Sequence, residues 1–193
     1  MNDQSTSARI LTAARTLLDQ EGADAVTMRR VAQVVGITAM AIYRHYPNRE
    51  GLLNALADAG FEELAAQLKG RHFLGSIEER LSEMSDIFVD HAFHNPRLYE
   101  LMFLKPRTGA RRYPQDFKDG RSPTANLMAA IIREGMASGH FRDDDPWEIT
   151  FEMGGLSHGL IMLYLAGRMD VSPSEFRALY QRSFRRYIHG IRS

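Results

Sequence analysis

The sequence predicts an all-α protein of about nine helices, and three observations support this fold class. Apolar residues recur at intervals of three and four residues, which places them on one face of an α-helix. The content of β-branched residues is low, which disfavours strands. Asn-Pro, Ser-Pro and Asp-Pro pairs precede several apolar segments, where the first residue can cap a helix and Pro can occupy its first turn. We expect three short helices, a long fourth helix and five more.

The composition limits the classes of protein that the chain can belong to. It has 193 residues with 24 basic and 24 acidic side chains, so any segment with a local charge bias is informative. Cysteine is absent, which excludes disulfide and thiol chemistry. The N-terminal residues lack the apolar segment of a signal peptide, and no run of about 18 apolar residues could span a membrane. We therefore expect a cytoplasmic protein.

The first short helix is expected to begin at a cap among Ser5, Thr6 and Ser7 and to end at Gly22. Its apolar stripe would support the segment that follows. The second helix should begin after Thr27, a suitable N-cap, and end at Gly36, which can adopt the left-handed backbone conformation. The residues expected on the buried side of this second helix are Val31, Ala32, Val34 and Val35.

The third helix is expected from Ala39 to His45, with Thr38 as its cap and Ile42 as its inward anchor. It follows the second helix after a turn of about three residues that contains Gly36. Two helices joined in this way form a helix-turn-helix, whose second helix enters the major groove of DNA. We call residues 1–50 the head and predict that it binds DNA.

The charge distribution supports this prediction. Between Ala25 and Arg49 the chain has no Asp or Glu but contains Arg29, Arg30, Arg44 and Arg49. Contacts with phosphate supply most of the non-specific affinity of proteins for DNA.

A long helix is expected from Arg49 to Lys69, after Pro47 ends the third helix and Asn48 caps the next. At 1.5 Å per residue it would span about 30 Å, enough to connect the head to a second domain. Its free N–H groups and Arg49 are expected to clamp a phosphate.

Five further helices are expected, and each begins at a recognisable capping sequence. The five starts are Ser76-Ile77-Glu78-Glu79, Asn95-Pro96, Ser122-Pro123, Asp145-Pro146 and Ser172-Pro173. Residues 105–121 contain two Pro, two Gly and no helical period, so we expect a long loop there. Its six basic residues could form a second nucleic-acid surface, but a solvated loop is the favoured interpretation.

The head resembles the N-terminal domain of the tetracycline-repressor-like (TetR) family over about 45 residues. The matching motifs are Arg9-Ile10-Leu11, Gly22, Thr27-Met28-Arg29-Arg30-Val31-Ala32, Val35-Gly36-Ile37-Thr38, Ala41-Ile42-Tyr43-Arg44-His45-Tyr46, Asn48-Arg49-Glu50 and Leu52-Leu53. Tyr46 stands where Phe is usual in the family and Arg49 where Lys is usual, and both replacements keep the physical role of the position.

The second half carries a weaker resemblance to C-terminal domains of the same family, over residues 141–168. Ser157-His158-Gly159-Leu160 is similar to the His-Gly-Leu centre of one subclass, in which Trp commonly precedes His. The family resemblance implies that residues 51–193 form a ligand-binding and dimerisation domain. It further implies a repressor that binds a palindromic operator as a homodimer and is released by a small, largely apolar inducer.

The residues of the head that are expected to contact DNA can be grouped by the chemistry of their side chains. Met40 and its alanine neighbours can touch thymine methyl groups, whereas Arg29 and Arg44 can reach either a base or a phosphate. Hydroxyl, imidazole and guanidinium groups should bind phosphates and set the register. The full predicted set is Thr27, Arg29, Thr38, Ala39, Met40, Ala41, Tyr43, Arg44, His45 and Arg49.

The second half is rich in Met and Phe, which suggests an apolar cavity, although ordinary core packing is the better explanation for any single residue. Among the polar groups, His158 is the strongest candidate because Gly155 and Gly159 leave room one turn away. The predicted ligand-binding set is Phe88, Leu101, Met102, Phe103, Met128, Ile132, Phe151, His158 and Met162. No cofactor, metal or catalytic residue is expected.

Two alternatives remain open at the level of sequence. His91 and His94 have a spacing compatible with two metal ligands, as in a helical metal-dependent enzyme, but no third ligand is fixed by spacing. The other alternative is a DNA-binding architectural protein without a ligand, for which a second half of over 100 residues is larger than dimerisation requires.

Overall fold

The computed structural model describes residues 5–193 and confirms the all-α fold class. This part of the chain contains ten α-helices and one 3-10 turn. It divides into two compact units. Among the described residues, unit 1 combines residues 5–63 with residues 94–110, and unit 2 combines residues 64–93 with residues 111–193. The boundary predicted after residue 50 separates two functional domains and does not describe these compact units, so it stays a prediction.

Unit 1 contains the three short helices expected in the head, the first part of the long helix, and one helix from later in the chain. These elements are α1 (Thr6–Glu21), a 3-10 turn (Ala23–Ala25), α2 (Met28–Val35), α3 (Ala39–Tyr43), the start of α4 (Arg49–Lys69) and α6 (Pro96–Phe103). The observed bounds of α4 are those predicted from the sequence.

Unit 2 contains the end of α4 and five further helices. These five are α5 (Ile77–His94, whose last residue belongs to unit 1), α7 (Gln115–Lys118), α8 (Pro123–Ala137), α9 (Pro146–Leu165) and α10 (Pro173–Gly190). The short α7 lies in the segment expected to be a loop, and it accounts for the difference between about nine helices and ten. None of the helices in residues 5–193 is long and apolar enough to cross a membrane.

Side-chain caps begin α4, α5, α9 and α10 where the sequence indicated, whereas Asn95 before α6 and Ser122 before α8 make no side-chain cap. The hydroxyl of Ser172 accepts a hydrogen bond from the N–H of Glu175, and the Glu175 carboxylate accepts one from the N–H of Ser172, which completes a capping box. Ser76 and Glu79 form the same reciprocal pair before α5. Asn48 accepts from the N–H of Gly51 at 2.8 Å and so caps α4.

Helix α6 packs into unit 1 because α4 has no side chain at Gly60. A Cβ atom built at Gly60 would lie 2.6 Å from the sulfur of Met102, closer than van der Waals contact permits. Arg15 of α1 also donates to the Oδ1 atom of Asn95 at 2.6 Å, just before α6 begins. Close approach and this polar link place α6 with the head helices rather than with its neighbours in sequence.

The core of unit 2 is aromatic along α10. Phe176, Tyr180 and Phe184 are buried at four-residue intervals, which puts them on one helix face. The Tyr180 hydroxyl lies 2.8 Å from the Ser157 hydroxyl and 3.2 Å from the carbonyl oxygen of Ser85. Burial raises the pKa of Tyr180 to about 12, so this phenol stays neutral and links α10 to α9 and α5.

Two details of the head differ from the sequence predictions. Val34 is 57% exposed and does not belong to the buried side of α2, whereas Val31 and Ala32 are buried as expected. Helix α3 ends at Tyr43, two residues before the predicted end. It ends early because the N–H groups of His45 and Tyr46 both bond to the carbonyl of Ile42, which closes the last turn.

Candidate nucleic-acid interface and effector-binding residues

The turn between α2 and α3 is fixed by local hydrogen bonds. Thr27 accepts from the N–H of Arg30 at 3.3 Å, and Thr38 accepts from the N–H of Ala41 at 3.2 Å. Gly36 adopts the left-handed conformation at φ 76° and ψ 34°, where a side chain would be strained. Both caps and the glycine turn therefore agree with the helix-turn-helix predicted from sequence.

Side chains from outside the motif support this geometry. Arg9 of α1 donates to the carbonyl of Val35 at 2.9 Å and so satisfies a free carbonyl at the end of α2. The hydroxyls of Ser7 and Tyr46 lie 3.0 Å apart and link the start of α1 to the segment after α3. The hydroxyl at position 46, where Phe is usual in the family, thus makes a contact that Phe cannot make.

The exposed surface of α2 and α3 carries most of the predicted DNA contacts. Met40 is 70% exposed and Tyr43 is 47% exposed, although both are large side chains that normally become buried. Arg29, Thr38, Arg44 and His45 are also exposed, whereas Thr27, Ala39 and Ala41 are half-buried. Ile42 is fully buried and anchors α3 to the rest of unit 1. We call the exposed residues of α2 and α3, with Arg44 and His45, the α2–α3 surface.

The arginines of this region differ in whether an acidic side chain already pairs with them. Arg30 is bound by both oxygens of Glu21, at 2.6 and 2.9 Å, which also lowers the pKa of the Glu21 carboxyl through the Arg30 hydrogen bond. Arg29 and Arg44 form no ion pair with any of residues 5–193. These two cations are therefore the ones available for a phosphate or a base edge.

Arg49 has a role that the sequence did not indicate. Its guanidinium donates to the carbonyls of Val26 at 2.8 Å and Ala23 at 2.7 Å, and it lies 3.6 Å from Asp24. These bonds join the start of α4 to the segment before α2. A phosphate contact by Arg49 stays a prediction, and it would be made by a side chain that already supports the head.

Gln33 is a candidate DNA contact that the predicted set omitted. It is exposed on α2 one turn after Arg29, within the run that lacks Asp and Glu. A glutamine amide can bind the edge of adenine with two hydrogen bonds, which none of the predicted residues can do. In the sequence, its spacing of four residues from Arg29 placed both side chains on one helix face and could have identified it as a candidate.

The nine residues predicted to bind a ligand are divided between the units. Leu101, Met102 and Phe103 lie on α6 in unit 1, where the ring of Phe103 packs edge-on against Phe61 with centroids 5.1 Å apart. The six in unit 2 are Phe88, Met128, Ile132, Phe151, His158 and Met162. Met128 and Ile132 are buried on α8 and belong to its core face. The assignment of all nine to a ligand stays a prediction.

His158 lies on α9 in apolar surroundings. Its ring meets Phe88 of α5 edge-on, with centroids 6.5 Å apart. Burial disfavours the charged imidazolium and lowers the pKa of His158 to about 4, so the ring is neutral at physiological pH. A neutral imidazole can both donate and accept a hydrogen bond, which suits a polar contact inside an apolar site.

Helix α9 also has an exposed apolar face. Phe151, Gly155, Gly159 and Leu163 follow one another at four-residue intervals, and Phe151 and Leu163 are each 48% exposed. Beyond the backbone of α9 itself, no heavy atom of the described chain lies within 4 Å of a Cβ built at Gly155 or Gly159. Phe151 stacks on Tyr113 with ring centroids 4.4 Å apart. We call Phe151, Gly155, Gly159 and Leu163 the α9 face.

A metal site is not supported by the arrangement of side chains. Residues 5–193 contain no group of three or more His, Asp or Glu side chains that could hold a metal ion. His91 is buried on α5 with 1% of its surface exposed. The pair His91 and His94 thus acquires no third ligand from the fold.

Comparison with known proteins supports the interpretation of both halves. Residues 10–56 match the family of bacterial regulatory proteins of the tetR type, and residues 81–187 match the tetracyclin repressor-like C-terminal domain. A helix-turn-helix joined to such a domain defines a class of DNA-binding transcriptional regulators. The chain belongs to the TetR family. The similarity of residues 157–160 to the His-Gly-Leu subclass stays a prediction.

Individual relatives agree with this classification. The chain is 32% identical to the nucleoid occlusion factor SlmA of Marinobacter nauticus, over 88% of this chain and 86% of that protein. It is 31% identical to an HTH-type transcriptional repressor of Mycobacterium tuberculosis, over 73% of this chain and 72% of that protein. A TetR variant of Acinetobacter baumannii in complex with minocycline shares the fold, with a TM-score of 0.70 at 20% identity over 97% of this chain and 96% of that one.

Proposed function

We propose that the protein is a ligand-responsive repressor that binds a palindromic operator as a homodimer in the cytoplasm. The observation that carries this proposal is the α2–α3 surface, which is exposed, lacks acidic residues and includes two arginines without an ion pair among residues 5–193. The relative from Mycobacterium tuberculosis is named a repressor, which supports repression over activation.

DNA recognition would use two kinds of contact. Arg44, Tyr43 and Thr38 would bind phosphates and fix the position of α3 in the major groove. Met40 would contact thymine methyl groups, and Gln33 and Arg29 would supply the hydrogen bonds to base edges. Because α3 itself offers few hydrogen-bonding groups, the shape and deformability of the operator would add to the sequence preference.

Dimerisation would use the α9 face. Open space at Gly155 and Gly159 allows a second helix to approach closely, and the exposed rings and methyl groups beside them would be buried by it. A homodimer would carry two α2–α3 surfaces and so would bind two half-sites, which is why the operator should be palindromic.

The ligand would be a small molecule with a large apolar part. The relative bound to minocycline shows that this fold can hold such a compound. Met162, Phe88 and His158 of unit 2 offer apolar contacts and one polar contact. To act as an inducer, the ligand must bind the DNA-released conformation more tightly than the DNA-bound one.

Selection of bound fragments from the source genome tests this function directly. We expect a small number of palindromic sites that overlap promoters, each bound by one or more dimers and released when the ligand is added. The genes beside those sites would indicate the class of ligand. If no metabolite handled by the products of the regulated genes releases the protein from DNA, the ligand-responsive part of the proposal is contradicted.

The similarity to SlmA gives a second candidate, a DNA-binding protein whose role is nucleoid occlusion. The same selection separates the two candidates. A repressor should occupy a few promoter-proximal operators, whereas a nucleoid occlusion factor should occupy many sites spread over the chromosome without regard to promoters.

A further inference from the structure

Arg107 is buried to an extent that its partners do not explain. Only 6% of its side chain is exposed, although the guanidinium remains charged in proteins. Its ion pair with Asp58 is long, with Nη1 and Oδ1 3.6 Å apart, and the Asp58 side chain is itself 63% exposed. The Nε–H of Arg107 is buried and has no hydrogen-bond partner among residues 5–193. A buried charge normally has close partners that replace water, and here they are incomplete.

The position of Arg107 is fixed by contacts within unit 1. The next residue, Thr108, donates its backbone N–H and its hydroxyl to Glu50 near the start of α4. The guanidinium carbon of Arg107 lies 5.8 Å from the ring centre of Phe61. Glu50 and Asp58 are two turns apart, a distance of about 12 Å along the helix. The side chain of Arg107 therefore extends along α4 toward Phe61.

A second incomplete polar group lies on the same stretch of α4. Asn54 is one turn after Glu50 and one turn before Asp58, on the stripe along which Arg107 extends. Its side-chain oxygen is buried and has no hydrogen-bond donor among the described residues. Arg107 thus has a buried donor without an acceptor, and Asn54, between two α4 residues that the Arg107–Thr108 segment contacts, has a buried acceptor without a donor, each counted among residues 5–193.

We propose that Arg107 and Asn54 form a binding site for the carboxylate end of a small organic acid, with Arg107 as the anion contact. A carboxylate would accept from the Nε–H and an adjacent Nη–H of Arg107, the paired geometry that guanidinium groups favour. A hydroxyl beside the carboxylate would donate to the oxygen of Asn54. Phe61 and Phe103 would contact the apolar part. This assignment rests on the proposed ligand-responsive function and adds to it an effector site within unit 1, separate from the ligand contacts proposed for Phe88, His158 and Met162 of unit 2.

Asp58 is the competitor that the acid must replace. Its exposed side chain can turn into water when a carboxylate enters, because its ion pair among residues 5–193 is the long contact to Arg107. Glu50 is occupied by Thr108 and so does not compete for the guanidinium.

Calorimetric titration of the full chain with simple probes tests the site. Phenylacetate and hexanoate should bind, phenylacetamide and hexanamide should bind at least about tenfold more weakly, and inorganic phosphate should not bind. Arg107→Gln, which removes the charge, should weaken both acids about tenfold or more. Lys105→Gln removes a charge from an exposed position of the same segment and should leave their affinity unchanged. Equal binding of acids and amides, no binding of either acid, or unchanged affinity in Arg107→Gln would overturn the assignment.

The stability of the free protein gives a readout that does not depend on the choice of acid. If Arg107 serves a ligand, Arg107→Met should keep or raise the thermal midpoint, since it removes a buried charge with incomplete partners. A clear fall in the midpoint would show that Arg107 holds the segment in place and would overturn the proposal.

Binding to operator DNA without ligand separates this inference from the proposed function. Both Arg107→Gln and the wild-type chain should bind the operator equally. If they do and neither binds an acid, the carboxylate site fails and the regulator stands. If neither binds DNA, the proposed function fails, and the titrations still decide whether the anion site exists.

Discussion

The α2–α3 surface and the α9 face are both left uncovered by the fold, and they differ in the forces that they offer to a partner. The first presents Arg29, Arg44 and several polar groups, so its interactions depend on charge and weaken as salt screens them. The second presents Phe151 and Leu163 beside two glycines, so its interactions depend on buried apolar area. If the proposed dimer forms through the α9 face, DNA binding and dimerisation would therefore respond to different solution conditions.

The largest effect is expected from Gly159→Arg on the α9 face. The described chain leaves open space at this position, so the protomer should fold, but a charged side chain would block a close approach of two copies. We expect monomers in sedimentation experiments and a loss of operator affinity of about 100-fold or more, since two linked half-site contacts become one.

Ala137→Arg, at an exposed position of α8, adds the same charge away from the α9 face and should leave the dimer intact. A dimer that survives Gly159→Arg would show that another surface joins the copies.

The second prediction concerns acid sensitivity in the apolar region. The pKa of His158 is about 4 in the folded chain and about 6.5 when unfolded, so the unfolded state binds more protons between these values. The folded state therefore loses stability as pH falls from 6.5 to 4, by up to about 3 kcal/mol from this residue. Urea unfolding of His158→Gln should show a smaller loss between pH 7 and pH 4.5.

His189→Gln changes an exposed histidine of α10 and serves as the control. If this control and His158→Gln flatten the pH dependence equally, burial of His158 is not the cause.

The third prediction separates contact from support within the head. Tyr43→Ala should weaken operator binding about tenfold, the value of one hydrogen bond to phosphate, and should leave stability unchanged because the ring is 47% exposed. Arg49→Ala should lower the free energy of unfolding by about 2 kcal/mol, because it removes the bonds to the carbonyls of Val26 and Ala23. Chemical denaturation and a binding titration on each variant check both statements. Equal stability losses in the two variants would contradict the distinction.

The smallest effect is expected in the salt dependence of binding. Arg29→Gln should reduce the slope of log affinity against log salt by about one unit if this side chain contacts a phosphate. If Arg29 reads a base instead, the slope should stay nearly the same and the preference at one operator position should relax. The dimerisation constant should change little over the same range of salt, since the α9 face is apolar.

Much of the local structure could be predicted because its determinants lie within a few residues of one another. Thr27, Gly36 and Thr38 specify the turn of the motif, and Asn48 with Pro47 places the start of α4. The side-chain oxygens and the left-handed glycine act on backbone groups one to three residues away. Both partners of each interaction therefore lie within a short segment of the sequence and can be recognised there. The family assignment rests on the same local motifs.

Burial and pairing were beyond the sequence because they depend on segments far apart in the chain. Val34 looked like an inward residue of α2, but no other element covers it in the described structure and it is 57% exposed. Arg49 looked like a free cation, but carbonyls more than 20 positions away bind it. Periodicity shows which residues share a helix face, and it does not show which face is covered.

The sequence by itself determined nine of the ten helices in residues 5–193, the helix-turn-helix and the family, since each follows from caps, glycines and spacing within short windows. Only the tertiary structure decided that α6 packs with the head, that Arg29 and Arg44 of the α2–α3 surface form no ion pair among residues 5–193, and that Arg107 is buried with an incomplete set of partners. The physical reason is that exposure and electrostatic pairing depend on how the elements pack in space. At Gly60, for example, α4 packs against Met102, which lies about 40 positions further along the chain.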